Sequence, residues 1–554
     1  MTAMELNLFS FITQLAVLVL LLGAAHQPLG AYLATTFTSR RHLALERGLY
    51  RVSGIDAQAD QHWKVYVRSL LAFSALSIVV VFLGQLLQGV LPFNQGHGAV
   101  DPWVALNTAV SFVTNTNWQT YAPEATLGFG VQMLLLAVQN FLSAAVGLAV
   151  AVALVRGLVR SETHNVGNFW VDLTRGTFRV LLPLATVAAV VLVITGVVQN
   201  WGGTDIHTLA SHAAQTVPGG PVASQEAIKE LGTNGGGYFN ANSAHPFENP
   251  NAFSSLFEVF LLLLIPFSLP AMYGRMVGDR RQGYTVLTVM VAFWLVSTSL
   301  MALAVGSYAH TGTGVGEGFE QRLGVAPSAI FATATTLTST GAVNVAHDSL
   351  PPLAGGLAML NMMLGEIAPG GVGSGLYGLL VLAVVAVFIG GLMVGRTPEF
   401  LGKKIGAAPM KLVAVYILTT PVLALAGTSL TAGIPALAAN APAAGPHGFS
   451  EILYAFTSAA NNNGSAFGGI TTSGPPLAAM LAVVMLLGRF IPMVLVLALA
   501  GTLAKQRKVP DTAGTLATHG PLFATLLGGV SLLVTALIYF PALALGPAAE
   551  GLLK

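Results

Sequence analysis

The sequence predicts an all-α membrane protein. About ten transmembrane helices form four pseudo-repeats of helix, re-entrant half-helix with polar loop, and helix around a central pore, with one extra helix at each end. Three observations carry this prediction. A mean hydropathy of +0.72 with only 8% charged residues is incompatible with a water-soluble globule. Apolar runs long enough to cross about 30 Å of hydrocarbon as helix recur ten times along the chain. Four polar stretches rich in glycine and asparagine interrupt this apolar background, and aligning Asn117, Gly235, Gly341 and Gly464 spaces them 118, 106 and 123 residues apart. Such spacing is what four diverged copies of one unit leave behind.

The apolar runs lie near 8–36, 66–93, 128–155, 178–200, 252–277, 284–308, 354–395, 411–432, 476–504 and 520–546. No Lys or Arg precedes Arg40, so the basic start of a cleaved signal peptide is missing and the first run reads as a retained span. Basic residues cluster at alternate connections: Arg40 to Arg68, Arg156 to Arg179, Arg275 to Arg281, Arg396 to Lys411 and Lys505 to Lys508 together hold 20 of the 24. By the positive-inside rule these connections are cytoplasmic and both termini lie outside. The absence of cysteine excludes disulfides, zinc–thiolate sites and iron–sulfur clusters, leaving oxygen and imidazole as metal ligands.

Each polar stretch follows a short semi-apolar segment: Trp103–Phe112, Ala223–Gly232, Pro327–Leu337 and Phe449–Ala460. Ten residues cannot cross a bilayer, so these segments read as re-entrant half-helices. The repeats then occupy 64–160, 175–281, 282–404 and 405–508, with 1–63 and 509–554 as additions. An extended loop offers backbone carbonyls that replace an ion's water shell without adding charge, and glycine permits the required dihedrals. The four stretches contain no Asp or Glu, which disfavours Ca²⁺ and Mg²⁺ and favours a dehydrated monovalent cation.

The wording of the loops, TNTNWQ at 114–119, GTNGGGYFNAN at 232–242, TSTGAVN at 338–344 and SAANNNGSAFGG at 458–469, resembles that of the potassium-binding A subunits of the Kdp potassium-transporting ATPase. That family lies in the superfamily of potassium transporters with four channel-like repeats. The resemblance implies K⁺ coordination by Asn115 and Thr116, Thr233 and Asn234, Ser339 and Thr340, and Asn462 and Asn463. Gly235, Gly341 and Gly464 would allow the filter turn, with Asn117 at the first repeat's glycine position and Gln119, Gly236 and Gly237 in support. It also implies a bacterial inner-membrane protein that takes K⁺ from outside and passes it through an intramembrane tunnel to a P-type ATPase partner, the B subunit, with the C subunit and the small F subunit of the Kdp complex alongside. ATP then acts only through the partner, since the chain has neither a Walker A loop nor an Asp-Lys-Thr-Gly-Thr motif. Membrane lipid surrounds such a protein; nucleic acid has no place in this reading. The rival is a stand-alone K⁺ symporter or channel of the Trk/Ktr type.

The seventh run is too long for one straight helix, and Gly365 to Gly375, with five glycines and Pro369, should break it near the membrane middle. Arg489, deep in the ninth run, carries a charge that is costly there unless paired or wet. Glu366, Gly370, Gly371 and Arg489 are therefore expected to form a gate beneath the third loop, with Glu366 and Arg489 facing one another. Arg396 marks a basic loop available for contact with the pump's cytoplasmic part. Glu226, Lys229, Glu317, Glu320 and Arg322 are expected to be solvated, and His245 and His347 to be structural.

Overall fold

A computed structural model describes residues 6–207, 214–308, 317–393, 395, 397–510 and 515–553. Among these residues, ten helices are long and apolar enough to cross a membrane. In order, the spans are Leu8–Thr38, Trp63–Leu86, Phe129–Val159, Phe169–Thr195, Ala252–Val277, Arg280–Gly306, Ser374–Met393, Ala407–Gly433, Pro475–Lys505 and Pro521–Leu552. Half-helices Pro102–Val113, Val222–Leu231, Val325–Leu337 and Gly445–Asn461 lie between them at the four expected places. Each half-helix falls within four residues of its expected start.

Local chemistry sets the ends. The first half-helix begins where Asp101 Oδ1 accepts from the amides of Trp103 (2.9 Å) and Val104 (3.2 Å), with Pro102 in the first turn. Asn251 caps the fifth span in the same way, through the amides of Phe253 and Ser254, and Gly278 ends it at φ +81°.

The fourth span corrects the expected start of 178. It begins at Phe169 because Asn168 Oδ1 caps the amides of Trp170 and Val171, so Arg175 and Arg179 lie inside the helix and not in a loop. Arg179 is tolerated there because Glu46 meets its Nε at 2.5 Å. On the neighbouring third span, Arg156 forms a two-pronged pair with Asp172 at 2.5 and 2.8 Å.

The apolar stretches of the third, fifth and seventh spans are mostly buried, whereas less than a third of those of the first, second and fourth is. The buried spans make the centre of the bundle, and the apolar faces of the others are left for lipid. Glycines set how closely the central elements approach. A β-carbon on Gly157 of the third span would lie 2.6 Å from Ala500 Cα in the ninth, and one on Gly30 would lie 2.5 Å from Ala271 Cβ, docking the first span along the fifth. The seventh run is broken as expected: one helix ends at Met363, and the chain turns through Gly365, Gly370 and Gly373, all at positive φ, before Ser374 starts the next.

Candidate ion-binding site

All four half-helices deliver their carboxyl ends to polar loops of one backbone design. The amide of Thr116 donates to Ser111 O (2.9 Å), Asn234 to Lys229 O (3.0 Å), Thr340 to Thr335 O (3.4 Å) and Asn463 to Ser458 O (2.9 Å). Every donor lies five residues after its acceptor, and successive donors are 118, 106 and 123 residues apart, the same spacings as the sequence stretches. This bond closes a helix when the preceding residue is left-handed. Asn115 (φ +68°), Thr233 (φ +48°) and Asn462 (φ +59°) take that conformation, and the third loop, where Ser339 does not, has the longest bond. Thr233 is β-branched and poorly suited to positive φ. Its hydroxyl is held on both sides, donating to Gly232 O (2.8 Å) and accepting from Val372 N (2.9 Å).

The loops converge on Gly235. A β-carbon there would lie 2.5 Å from Thr116 O, 2.7 Å from Thr340 O and 3.0 Å from Asn463 O, one carbonyl from each of the other three loops. Gly464 is pressed against Thr116 O and Gly341 against Asn463 O. Asn117 (φ +59°), Gly341 (φ +81°) and Gly464 (φ +104°) make the turn that follows, but in the second loop the left-handed residue is Gly236 (φ +69°). Gly235 is thus required for space, not for its dihedrals, which corrects the expected role.

Side-chain amides and hydroxyls brace these loops from behind. Asn115 Nδ2 donates to Thr233 O (2.8 Å), and Asn234 Nδ2 reaches both Asn115 Oδ1 (3.0 Å) and Asn117 Oδ1 (3.1 Å). Asn462 Nδ2 donates to Thr116 Oγ1 (2.9 Å). Thr114 and Thr116 pair their hydroxyls at 2.9 Å, and Thr338 and Thr340 repeat that pair at 2.6 Å. Gln119 Oε1 accepts from Gly237 N (3.0 Å), joining the first loop to the second. Two braces went unpredicted: Asn140 Oδ1 accepts from Asn117 Nδ2 (2.7 Å), and Ser143 Oγ donates to Asn115 Oδ1 (2.8 Å). Both lie on the third span, where only the fold brings them near the loop.

Behind the second loop the solvated reading of Glu226 and Lys229 is overturned. Glu226, Lys229, Glu230, Glu248 and Glu258 are all at most 1% exposed. Lys229 Nζ lies 2.7 Å from Glu226, 3.2 Å from Glu248 and 3.5 Å from Glu230. A cation among carboxylates stays charged when buried, which is how so many acids fit together here. The ammonium also donates to Asn242 Oδ1 (3.0 Å), whose side chain donates to Gly236 O and accepts from Val343 N (3.2 Å). The ionic cluster therefore holds the second and third loops through one amide. In the sequence these side chains look solvated because the acids buried against the half-helix, Glu248 and Glu258, come from outside it.

The break in the seventh run sits under the loops. Gly370 N donates to Leu337 O (3.0 Å), and a β-carbon on Gly371 would lie 3.0 Å from Ser339 Cβ. Glu366 accepts from Asn463 Nδ2 (2.8 Å) and from Ser339 Oγ. Arg489, 5% exposed, reaches Ser143 O at 3.4 Å. Glu366 and Arg489 line one cavity of about 100 Å³ together with Ser339, Tyr377, Tyr416 and Asn462. They face the same cavity as expected but form no ion pair, because the carboxylate is already claimed by filter side chains.

Glu317 is exposed as expected, but Arg322 is tied to the carbonyls of Asn249 and Ala244 besides Glu320 (3.0 Å). His347 Nδ1 shares a hydrogen bond with Tyr454 OH (2.7 Å), and His245 stacks on Phe239 at 3.9 Å, both structural roles. Arg396 lies outside the described residues.

A family model described as "Potassium-transporting ATPase A subunit" matches residues 16–552. The potassium-transporting ATPase potassium-binding subunit of Clavibacter sepedonicus is 57% identical over 98% of this chain and 99% of its own. That of Mycobacterium avium strain 104 is 57% identical over 97% and 98%. Among solved structures, the potassium transporter TrkH from Vibrio parahaemolyticus aligns over 88% of this chain and 95% of its own, with a TM-score of 0.53 at 17% identity. That likeness is one of fold.

Proposed function

We propose, given that this chain belongs to the family of potassium-transporting ATPase A subunits, that its four converging loops are the K⁺ filter. The chain is the potassium-binding subunit of a potassium-transporting ATPase. Full-length likeness to such subunits favours this over the stand-alone symporter or channel. The observation that carries the site is the ring of carbonyls from Thr116, Thr340 and Asn463 around Gly235.

A K⁺ ion entering the ring exchanges water for these fixed oxygens, and the four half-helix carboxyl ends add a negative field without a net charge. Asn115, Thr116, Asn117, Thr233, Asn234, Ser339, Thr340, Asn462 and Asn463 supply the loops, with Gln119, Gly236 and Gly237 fixing their register. Beneath the ring, the chain break and Arg489 oppose straight passage, because a fixed cation repels K⁺ where water is scarce. The ion then leaves sideways through a tunnel toward a P-type ATPase partner that alone handles ATP. We assign both termini and the filter to the outer face of a bacterial cytoplasmic membrane, the B, C and F subunits to the complex, and Arg396 to a cytoplasmic contact. With the fourth span starting at Phe169 and the sixth at Arg280, the four repeats run 64–160, 169–279, 280–404 and 405–508.

The test is thermal. K⁺ should raise the melting temperature of the purified protein with concentration while Na⁺ does not, as mass action requires for a ligand of the folded state. Equal response to both ions, or to neither, refutes the filter.

A further inference from the structure

Away from the filter, three segments distant in sequence bring an imidazole and three carboxylates together. His447 stands in the first turn of the fourth half-helix, and Glu451 follows four residues later on the same face. Asp348 comes from the short turn after the third loop, and Glu550 from the helix Ala549–Leu553 at the chain's end. His447 Nε2 lies 3.1 Å from Asp348 Oδ1, while Nδ1 lies 3.1 Å from Glu550 Oε2. Ligand atoms of Asp348, His447 and Glu451 all lie within 4.8 Å of one another. Glu451 is 1% exposed, and its Oε2 has no hydrogen-bond partner. Beside it Gly469 leaves room, since a β-carbon there would strike Glu451 Oε1.

We propose that Asp348, His447 and Glu451 form a binding site for a divalent metal of the zinc class. A buried carboxylate oxygen without a partner is costly, and an ion between these three groups satisfies it. One imidazole with carboxylates and no thiolate matches zinc and its first-row neighbours, whereas Ca²⁺ and Mg²⁺ take oxygen ligands throughout. Glu550 occupies the place of an outer carboxylate: accepting from Nδ1–H, it turns the Nε2 lone pair toward the metal. The side chains of His447 and Asp348 are 27% and 29% exposed, so an ion can enter from water. Bound there, it ties the return arm of the third loop to the start of the fourth half-helix. The site stands independently of the K⁺ assignment.

The experiment uses the full chain, free of any affinity tag, stripped with chelator in detergent and titrated with zinc chloride. Equilibrium dialysis with metal analysis should return about one zinc per chain, with a concentration-dependent rise in melting temperature. His447→Gln should weaken zinc binding about a hundredfold, and Glu550→Gln about tenfold. Stoichiometry on the unmodified chain does not depend on the folding of any variant. No retained zinc, equal binding by the wild type and both variants, or an equal response to calcium chloride would each overturn the proposal.

Discussion

The first and second filter loops reach the same backbone geometry by opposite chemistry. Behind the first stand neutral groups, Asn140 and Ser143, joined to it by single hydrogen bonds, and Ser143 Oγ also accepts from Asn234 Nδ2 of the second loop (3.3 Å). Behind the second stands Lys229 among Glu226, Glu230 and Glu248, fully removed from water. Yet Thr116 N and Asn234 N make the same bond five residues back, at 2.9 and 3.0 Å. Support chemistry is therefore free to vary, provided that what faces the ion stays neutral carbonyl. The ionic cluster reaches the second loop through Asn242, an uncharged intermediary, and through Glu248, which accepts from Phe239 N (2.6 Å).

The sharpest way to break the comparison is to remove one support from each loop. Lys229→Met strands buried carboxylates without a counter-ion and should cost about 3–5 kcal/mol, read as a large loss of melting temperature or of folded protein. Ser143→Ala removes a neutral brace and should cost only about 1 kcal/mol in the same assay. Gly235→Asp should act on both stability and binding: its β-carbon presses on three backbone carbonyls and lowers the melting temperature, while half-saturating K⁺ of the folded fraction rises by at least about tenfold, equal to 1.4 kcal/mol, and discrimination against Na⁺ falls. Asn242→Ala cuts the amide link while leaving the ion cluster intact. It should raise half-saturating K⁺ about five- to tenfold, as loss of a buried hydrogen bond predicts, with the maximal rate nearly unchanged.

The smallest effect is a pH dependence beside the second loop. Burial, and secondarily Arg322, push His245 down to about 4, so the folded state favours the neutral ring. The stability this contributes is complete above the ordinary histidine value near 6.5 and is lost as pH falls through about 4. Melting temperature should drop over that window in the wild type, and less in His245→Gln; identical curves would remove His245 as the cause.

Apolar runs and half-helices were readable because they depend on composition and length. The expected start of 284 for the sixth span became Arg280, and 476 for the ninth became Pro475. The fourth span was misjudged by nine residues because Arg175 and Arg179 look like loop residues until Glu46 and Asn168 are brought beside them. The same limit hid the buried acids: Glu258 lies on the fifth span, and nothing near it in the chain announces Lys229. Glu366 and Arg489 were rightly brought to one cavity, but whether they pair was not readable, since Asn463 and Ser339 compete for the carboxylate.

The sequence alone determined that the chain lives in a membrane, crosses it about ten times and carries four copies of a polar hairpin. Those properties follow from hydropathy and from spacing along one chain. Tertiary structure alone decided which glycine is needed for room instead of rotation, which amides brace instead of bind, and how charge is stored behind a neutral ring. Each of those depends on atoms that meet only in the folded chain, across separations from 19 residues for Lys229 and Glu248 to 118 for Asn115 and Thr233, where local preference carries no information about the partner.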